Sequence, residues 1–353
     1  MTNHETSQNL DEFLDTPLVH IPELDGEPVP RKLELVELSE GEIDPRLKLL
    51  SHSSRELLAK CPRKYQLYRL TSKVKESHSQ EEHQKDYEDA VTFAYGHTVG
   101  VGVQEIFEGA DDNKLYMACF LAWGTDLLAE NTKQKKSFWN AMFAVQKFEF
   151  LREESFIKDY ELVYTEGKPA VELSAVIYLP NDFYYRLFID VVVQHRETGE
   201  VVVIENKTTS GTAKSEMYRN SGQAIGYSVV LDKLFPDLSS YSVLYTVYET
   251  KSFEWVTLSF GKSLLQRALW LQELLIDVQS IELYEAYGVY PMRGHACFDY
   301  FRACKYFGLC TLSTENLTKP LDMSMLEDLA DDLCRYQYHV QFDELVEAQI
   351  EKG

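Results

Sequence analysis

Two acids and a lysine stand on neighbouring, strongly apolar segments. Asp190 lies between Phe188-Ile189 and Val191–Val193, and Glu205 and Lys207 follow Val201–Ile204 with Asn206 between them. A carboxylate on such a segment is costly to bury unless something offsets its charge. Two arrangements would do so. The three groups can satisfy one another as a structural ion cluster. Alternatively, the acids can hold a hard divalent cation, Mg2+ or Mn2+, which takes carboxylate oxygens and keeps several waters. The lysine would then hold a water beside the metal and offset charge building up on a phosphate. Spacing by itself leaves both open.

The segments that must position these groups read as strands. Residues 170–179, 184–194 and 200–209 are rich in Val, Ile and Tyr, and two similar runs follow at 240–250 and 253–260. A tight turn, Glu197-Thr198-Gly199-Glu200, separates the strand of Asp190 from that of Glu205. A two-residue loop at Thr198-Gly199 pairs Glu197 with Glu200. Counting back then sets Asp190 opposite Lys207. Glu205 shares the face of Lys207 because side chains alternate, and Asn206 points the other way.

Helical spacing recurs at 51–70, capped by Ser53 or Ser54 and with Pro62 as a dividing point, and at 78–110, 113–131, 134–155, 213–232 and about 262–285. The acidic segment 320–351 reads as one helix or two. The order predicts a mixed α/β (α+β) fold, a mostly antiparallel central sheet flanked by helices, with helical elaborations at both ends. Residues 1–45 hold five of the eleven prolines and read as an acidic extended or disordered arm. Residues 46–312 form the body: a helical part at 51–155, a sheet core at 170–260 and a cysteine-bearing segment at 290–312. Residues 313–353 form an acidic helical tail.

The chain has 353 residues, 44% hydrophobic and 26% charged. This balance excludes a chain disordered throughout, a collagen-like repeat and a disulfide-stapled miniature. No apolar run approaches the roughly 18 residues of a membrane helix, and the start lacks the basic-then-apolar order of a signal peptide. A cytoplasmic protein with reduced thiols and no membrane partner is expected, in the host cytoplasm if a phage encodes it.

The net charge of −22 argues against a polyanionic partner. Its distribution softens that argument, because residues 1–45 carry −10 and residues 315–353 carry −7, leaving −5 for the body. Acidic ends either keep the protein soluble or shield a basic groove. Lys60, Arg63, Lys64, Arg69, Lys73 and Lys75 form the densest basic stretch, interleaved with Tyr65 and Tyr68. This pattern suits either a phosphate-tracking surface with rings for stacking or a helix with one solvated and one packed face.

Asp190 followed by Glu205-Asn206-Lys207 resembles the D…(D/E)-x-K signature of the PD-(D/E)XK nuclease superfamily. Its company narrows the likeness to the RecB-like exonuclease branch. Ser51–Leu70 resembles that branch's opening helix, which leads to Cys61-Pro62-Arg63-Lys64-Tyr65. Gln223 and Tyr227 resemble its Gln-x3-Tyr motif, and four residues apart on a helix they face the same way. The matching motifs span residues 51 to about 310.

One motif departs. Where the branch has a helical histidine and then an acid, this chain has Gly100 and Gln104, with His97 one turn earlier as a substitute ligand or a mere neighbour. The resemblance implies a restriction-endonuclease-like core and a metal-dependent DNA nuclease that leaves a 5′-phosphate and a 3′-hydroxyl. Asp190, Glu205 and the Asn206 carbonyl would hold Mg2+ or Mn2+, Lys207 would position the attacking water, and Gln223 and Tyr227 would orient the phosphate. Arg63, Lys64, Thr208 and Gln104 are the candidates for touching nucleic acid.

Of the six cysteines, Cys119 and Cys334 read as ordinary thiols. Cys61 upstream, with Cys297, Cys304 and Cys310 downstream, resembles the iron–sulfur nucleases of the AddB and CRISPR-associated type, in which a four-iron cluster clips the two ends of the domain together. The gap from Cys304 to Cys310 agrees with that family, whereas the gap from Cys297 to Cys304 is longer than its usual two residues. Four thiolates suit a [4Fe-4S] cluster or zinc, and a site without metal stays open. A bound group would act structurally, by closing a long loop.

The leading expectation is therefore a DNA exonuclease acting on single strands or duplex ends in replication, recombination or repair, alongside a recombination or replication protein. Its rivals are a catalytically weak nucleic-acid- or partner-binding protein on a nuclease scaffold, and a regulatory protein whose acidic ends occupy a partner's DNA site.

Overall fold

The β-branched and aromatic runs build one mixed sheet. The computed structural model describes residues 42–70, 80–124, 135–236, 241–299, 302–310 and 337–352. The strands of the main sheet are β1 (Leu49–Leu50), β2 (Tyr160–Leu162), β3 (Val171–Leu179), β4 (Phe183–His195), β5 (Val201–Thr209), β6 (Tyr241–Glu249), β7 (Glu254–Lys262) and β8 (Gln337–Gln341). They form an eight-stranded sheet in the order β8-β3-β4-β5-β6-β7, with β1 and β2 also pairing with β4. Three of the central pairings are antiparallel, while β5–β6 and β8–β3 are parallel. The mixed, mostly antiparallel architecture with flanking helices matches the fold class expected from the sequence.

The helices are α1 (His52–Lys60), α2 (Pro62–Leu70), α3 (Gln80–Glu108), α4 (Asp112–Trp123), α5 (Phe138–Glu154), α6 (Gly222–Leu234), α7 (Leu264–Ala286) and α8 (Phe342–Glu351). Alternation along the strands feeds two cores. Val203, Tyr245 and Val247 pack with Tyr227 of α6 and Trp270 and Leu274 of α7 on one face. Val202, Ile204 and Leu244 pack with Tyr95, Val99 and Val103 of α3 and Val145 of α5 on the other. Gly102 permits the close crossing of α3 and α5, since a Cβ there would lie 2.7 Å from Val145 Cγ1.

Local signals set the helix ends, with some differences from expectation. Ser51, not Ser53 or Ser54, caps α1, and Ser54 returns the bond to the Ser51 backbone, a capping box. Pro62 does divide the segment: Cys61 is extended, and Pro62 opens α2, where its missing N–H costs nothing. The 213–232 stretch is a single helical turn, Ser215–Tyr218, followed by α6, because Ser221 breaks the run with extended backbone. Residues 337–341 form a strand, not a helix. Tyr338, His339 and Val340 pair in parallel with Ala175, Val176 and Ile177 of β3, and Val340 enters the core. The tertiary template of an open sheet edge outweighs the helical pattern there. The arm up to residue 41, the tail segment 311–336, Lys73, Lys75 and Cys334 lie outside the described residues.

A buried ionic cluster ties three of these helices together. Asp232 of α6 accepts from Arg267 of α7, from Gln349 of α8 at 2.6 Å and from Lys352 just beyond α8 at 2.8 Å. Asp232 and Arg267 are both essentially inaccessible. Removing one member leaves the others charged and unsolvated. Asp232→Ala is therefore expected to lower the unfolding free energy by roughly 3–5 kcal/mol, read as a shift of the urea midpoint. Adding Arg267→Met should recover part of that loss.

Candidate active site

The β4–β5 hairpin sets the register of the acids. Val191 pairs with Ile204 and Gln194 with Val201, and the His195 N–H donates to the Glu200 carbonyl. The loop is thus Arg196–Gly199, with Gly199 in the left-handed region at φ 72°. This corrects the two-residue loop expected at Thr198-Gly199. The pairing moves by two residues, so Asp190 stands level with Glu205 rather than Lys207. An even slip leaves the faces of β5 unchanged. The paired ladder stops at Val191–Ile204, and Asp190 Oδ2 instead accepts the Asn206 backbone N–H at 2.9 Å.

The acids leave the sheet where its alternation fails. On β4, Ile189 packs in one core and Val191 in the other, although residues two apart on a regular strand share a face. The neighbouring β3 does the same: Val171 and Leu173 enter opposite cores, with Glu172 between them at φ 48°. A non-glycine residue in this region is uncommon and is held there by its surroundings. Both strands turn over at one level, and Glu172 and Asp190 come out into a common cavity.

That cavity holds about 440 Å³ and is lined by Asp190, Glu205, Asn206, Lys207, Gln223 and Glu172, with α3 forming its far wall. Lys207 Nζ lies 2.5 Å from Glu205 Oε1 and donates to Gln223 Oε1 at 3.2 Å. Gln223 Nε2 in turn donates to the Tyr227 hydroxyl at 2.5 Å. Among the described residues the second Glu205 oxygen, Oε2, has no assigned hydrogen-bond partner, in a side chain only 1% exposed, and the Tyr227 hydroxyl lies against the same carboxylate. Gly226 seats α6 on Trp270, since a Cβ there would lie 2.6 Å from the indole Cζ2, and this holds Gln223 and Tyr227 over Lys207.

The charges respond to this crowding. Burial first, then the Glu205 carboxylate, push the Asp190 carboxyl well above its ordinary range; Lys207 opposes the shift and Glu172 adds to it. Burial works against the Lys207 ammonium, but Glu205 and Asp190 outweigh it and hold its pKa above the ordinary value. The Tyr227 phenol is raised by burial and by the same two acids, so it stays protonated and remains a donor.

The donor set suits a hard divalent cation. Two carboxylates converge, one has an oxygen with no assigned hydrogen-bond partner among the described residues, and like charges in a low-dielectric setting ask for a cation. Among the described residues no three His, Cys, Asp or Glu side chains converge closely enough to hold a metal ion between them. An ion here would draw on two carboxylates and complete its shell with backbone carbonyl and water, as Mg2+ commonly does.

The remaining candidates divide. His97 lines the cavity rim, where its ring stacks on Phe93. Gly100 faces the cavity with nothing within 4 Å of where a Cβ would be, so the expected histidine's place is open space. Gln104 is largely buried, lines the cavity and donates to Glu172 Oε1 at 2.5 Å. Thr208 lies beneath Gly96 of α3, whose Cβ would sit 3.4 Å from the Thr208 hydroxyl. Arg63, expected to meet nucleic acid, is buried instead. Its side chain donates to the Cys310 carbonyl at 3.2 Å and to Gln66 at 2.5 Å, because it closes the cysteine loop onto α2.

Lys64 also belongs to that region. With Cys61, Cys297, Cys304 and Cys310 it lines a second cavity of about 370 Å³. Burial first, then the charges of Cys304, Cys61 and Cys297, raise the Cys310 thiol. These four thiols line one cavity, although among the described residues they do not converge closely enough to hold a single metal ion between them.

Sequence reasoning missed Glu172 and His52. Glu172 is an acid among apolar neighbours in Ala170–Leu179, the same signal that marked Asp190. His52 of α1 has its imidazole held below its ordinary value by burial, with Glu56 opposing and the Lys207 charge assisting. Its place near Lys207 has no sequence signature.

The raised Asp190 carboxyl has a consequence for stability. Its contribution is fully present below the unfolded-state pKa of about 3.9 and is lost as pH rises through the higher folded value. In EDTA, Asp190→Asn should be the more stable protein at pH 8 by on the order of 1 kcal/mol. The difference should close as pH falls toward 4, read from urea midpoints across that range.

Comparison with known proteins bears on the same residues. The chain is similar to the solved structure of a protein from Eubacterium rectale named "Putative exonuclease", at 13% identity and a TM-score of 0.42, over 82% of this chain and 95% of that one. It is also similar to the structure of SSO0001, at 10% identity and a TM-score of 0.29, over 66% and 76% of the two chains. No curated protein matches it. Among family models, that of the PD-(D/E)XK nuclease superfamily matches residues 49–311, well over half of the chain and the whole span from β1 to the last cavity cysteine. The chain belongs to the PD-(D/E)XK nuclease superfamily.

Proposed function

We propose that the protein is a metal-dependent DNA nuclease of the RecB-like kind, working as an exonuclease on single strands or duplex ends. The observation that carries the reading is the convergence of Asp190, Glu205 and Lys207 on one cavity, with a buried Glu205 oxygen that has no assigned hydrogen-bond partner among the described residues. Asp190, Glu205 and the backbone carbonyl of Asn206 would hold Mg2+ or Mn2+. When bound, the cation supplies Lewis acidity at the phosphate.

The chain's own groups do the rest. The Lys207 ammonium, kept charged by its two acids, orients the attacking water and offsets charge on the phosphate. The Gln223 amide and the protonated Tyr227 hydroxyl fix Lys207 and the phosphate oxygens in place. The water oxygen bonds to phosphorus as the P–O3′ bond breaks, the water gives up a proton to solvent and the departing 3′-oxygen takes one from solvent, leaving a 5′-phosphate and a 3′-hydroxyl. Incubation with end-labelled single- and double-stranded DNA, with Mn2+ or with EDTA, tests this reading. Cleavage should require the metal and fall at least about 100-fold in Asp190→Ala and in Lys207→Ala. Undiminished cleavage in either variant would reject the assignment.

A second reading is favoured by the open space at Gly100, where the family's helical histidine is missing. In that case the protein binds nucleic acid or a partner with little turnover, and mobility shifts occur without metal or cleavage.

We also assign Cys61, Cys297, Cys304 and Cys310 to an iron–sulfur cluster, supported by their common cavity and by the Arg63 bond that closes the loop over it. Its chemistry would be structural, joining α2 to the segment after α7. Protein purified anaerobically should be brown and contain iron and sulfide, and Cys304→Ser should lose both and unfold at lower temperature. Colourless protein that is equally stable in the variant would sink the assignment.

A further inference from the structure

The far wall of the catalytic cavity carries a feature that phosphodiester hydrolysis does not use. Phe93 of α3 is 75% exposed, a large apolar ring in water at the rim of the cavity that holds Asp190 and Lys207. One turn along the helix, the His97 ring lies nearly parallel to it, with centroids 5.9 Å apart and planes 17° apart. The next residues on that face, Gly96 and Gly100, have no side chains, and a Cβ at Gly100 would meet nothing within 4 Å. The wall is thus a ring pair beside an open slot, facing the Lys207 ammonium and the Gln223 amide across about 440 Å³.

We propose that Phe93, backed by His97, is a stacking platform for one unpaired nucleobase of the strand whose phosphate lies at Lys207. This rests on the nuclease reading and names its substrate class, single-stranded nucleic acid or a frayed end. A base inside a duplex has both faces covered by its neighbours, whereas an unpaired base offers a face for an aromatic ring. Residues 46–314 carry a net charge of −5, so apolar stacking would add affinity to what their Lys and Arg supply.

The test uses the full-length chain and a short single-stranded oligonucleotide carrying 2-aminopurine beside the cleaved phosphate. A second oligonucleotide has an abasic site there. Wild type should quench the 2-aminopurine on binding, and Phe93→Ala should abolish the quenching. In cleavage, Phe93→Ala should raise KM roughly 5- to 150-fold, the span of one stacked base, with kcat changed less than about 2-fold. The abasic substrate should cost wild type the same factor and cost Phe93→Ala nothing further, while Phe93→Trp should behave as wild type.

Quenching that persists in Phe93→Ala, or equal cleavage of an intact and an abasic strand by wild type, overturns the platform and leaves the nuclease reading standing. Quenching that depends on Phe93 without any metal-dependent cleavage supports the platform and rejects the nuclease reading. Duplex cut as fast as single strand, by both wild type and Phe93→Ala, overturns the choice of substrate. Parallel DNA and RNA strands show which sugar the slot accepts.

Discussion

Two carboxylates, Asp190 and Glu205, stand level on neighbouring strands in a place where water is scarce, and the rest of the site follows from keeping them there. Burial first and then their repulsion raise the Asp190 carboxyl, answered on one side by Lys207, at 2.5 Å from Glu205. One amine against two acids, with Glu172 close by, leaves negative charge in excess. A structural ion cluster selected for stability alone would be expected to balance its charges and satisfy its oxygens. Among the described residues Glu205 Oε2 is left without an assigned hydrogen-bond partner.

The fold maintains this charge by two devices. The first is the simultaneous turnover of β3 and β4, with Glu172 in the left-handed region, which releases both acids from the layered core into one opening. The second is the fixing of α6 from behind. Asp232, two turns or more beyond Gln223, takes bonds from Arg267, Gln349 and Lys352, while Gly226 lets α6 rest on Trp270. Gln223 and Tyr227 therefore approach Lys207 from a helix that the ends of two others hold in place. The strand Gln337–Gln341 and α8 are part of this support, which joins the chain's acidic C-terminal region to the sheet.

The basic stretch after Ser51 illustrates how tertiary context reassigns charge. Arg63 is spent on the cysteine loop and Gln66, Tyr65 is buried with its hydroxyl on the Leu47 carbonyl, and Lys64 lines the cysteine cavity. Arg63, read in one dimension as part of a phosphate-binding surface, packs instead against the cysteine-bearing segment. Aromatic exposure next to the cavity of Asp190 and Glu205 comes instead from Phe93, in a segment whose glycines drew attention only as a departure from a motif.

The sequence by itself determined the sheet and its flanking helices, because apolar alternation and capping residues act over a few neighbours. It also marked Asp190, Glu205 and Lys207 as groups whose chemistry needs a partner, since charge on an apolar strand cannot be left uncompensated, whereas Gln223 and Tyr227 stood out only by their resemblance to a motif. Tertiary structure alone decided the rest. A loop of four residues rather than two set the hairpin register, a distinction that turn propensities leave nearly degenerate. Glu172 joined the site through a backbone turnover that no spacing encodes, and residues 337–341 became a strand because an open edge of β3 was there to pair with. Such outcomes depend on which surfaces meet across the fold, and sequence periodicity carries no record of those distances.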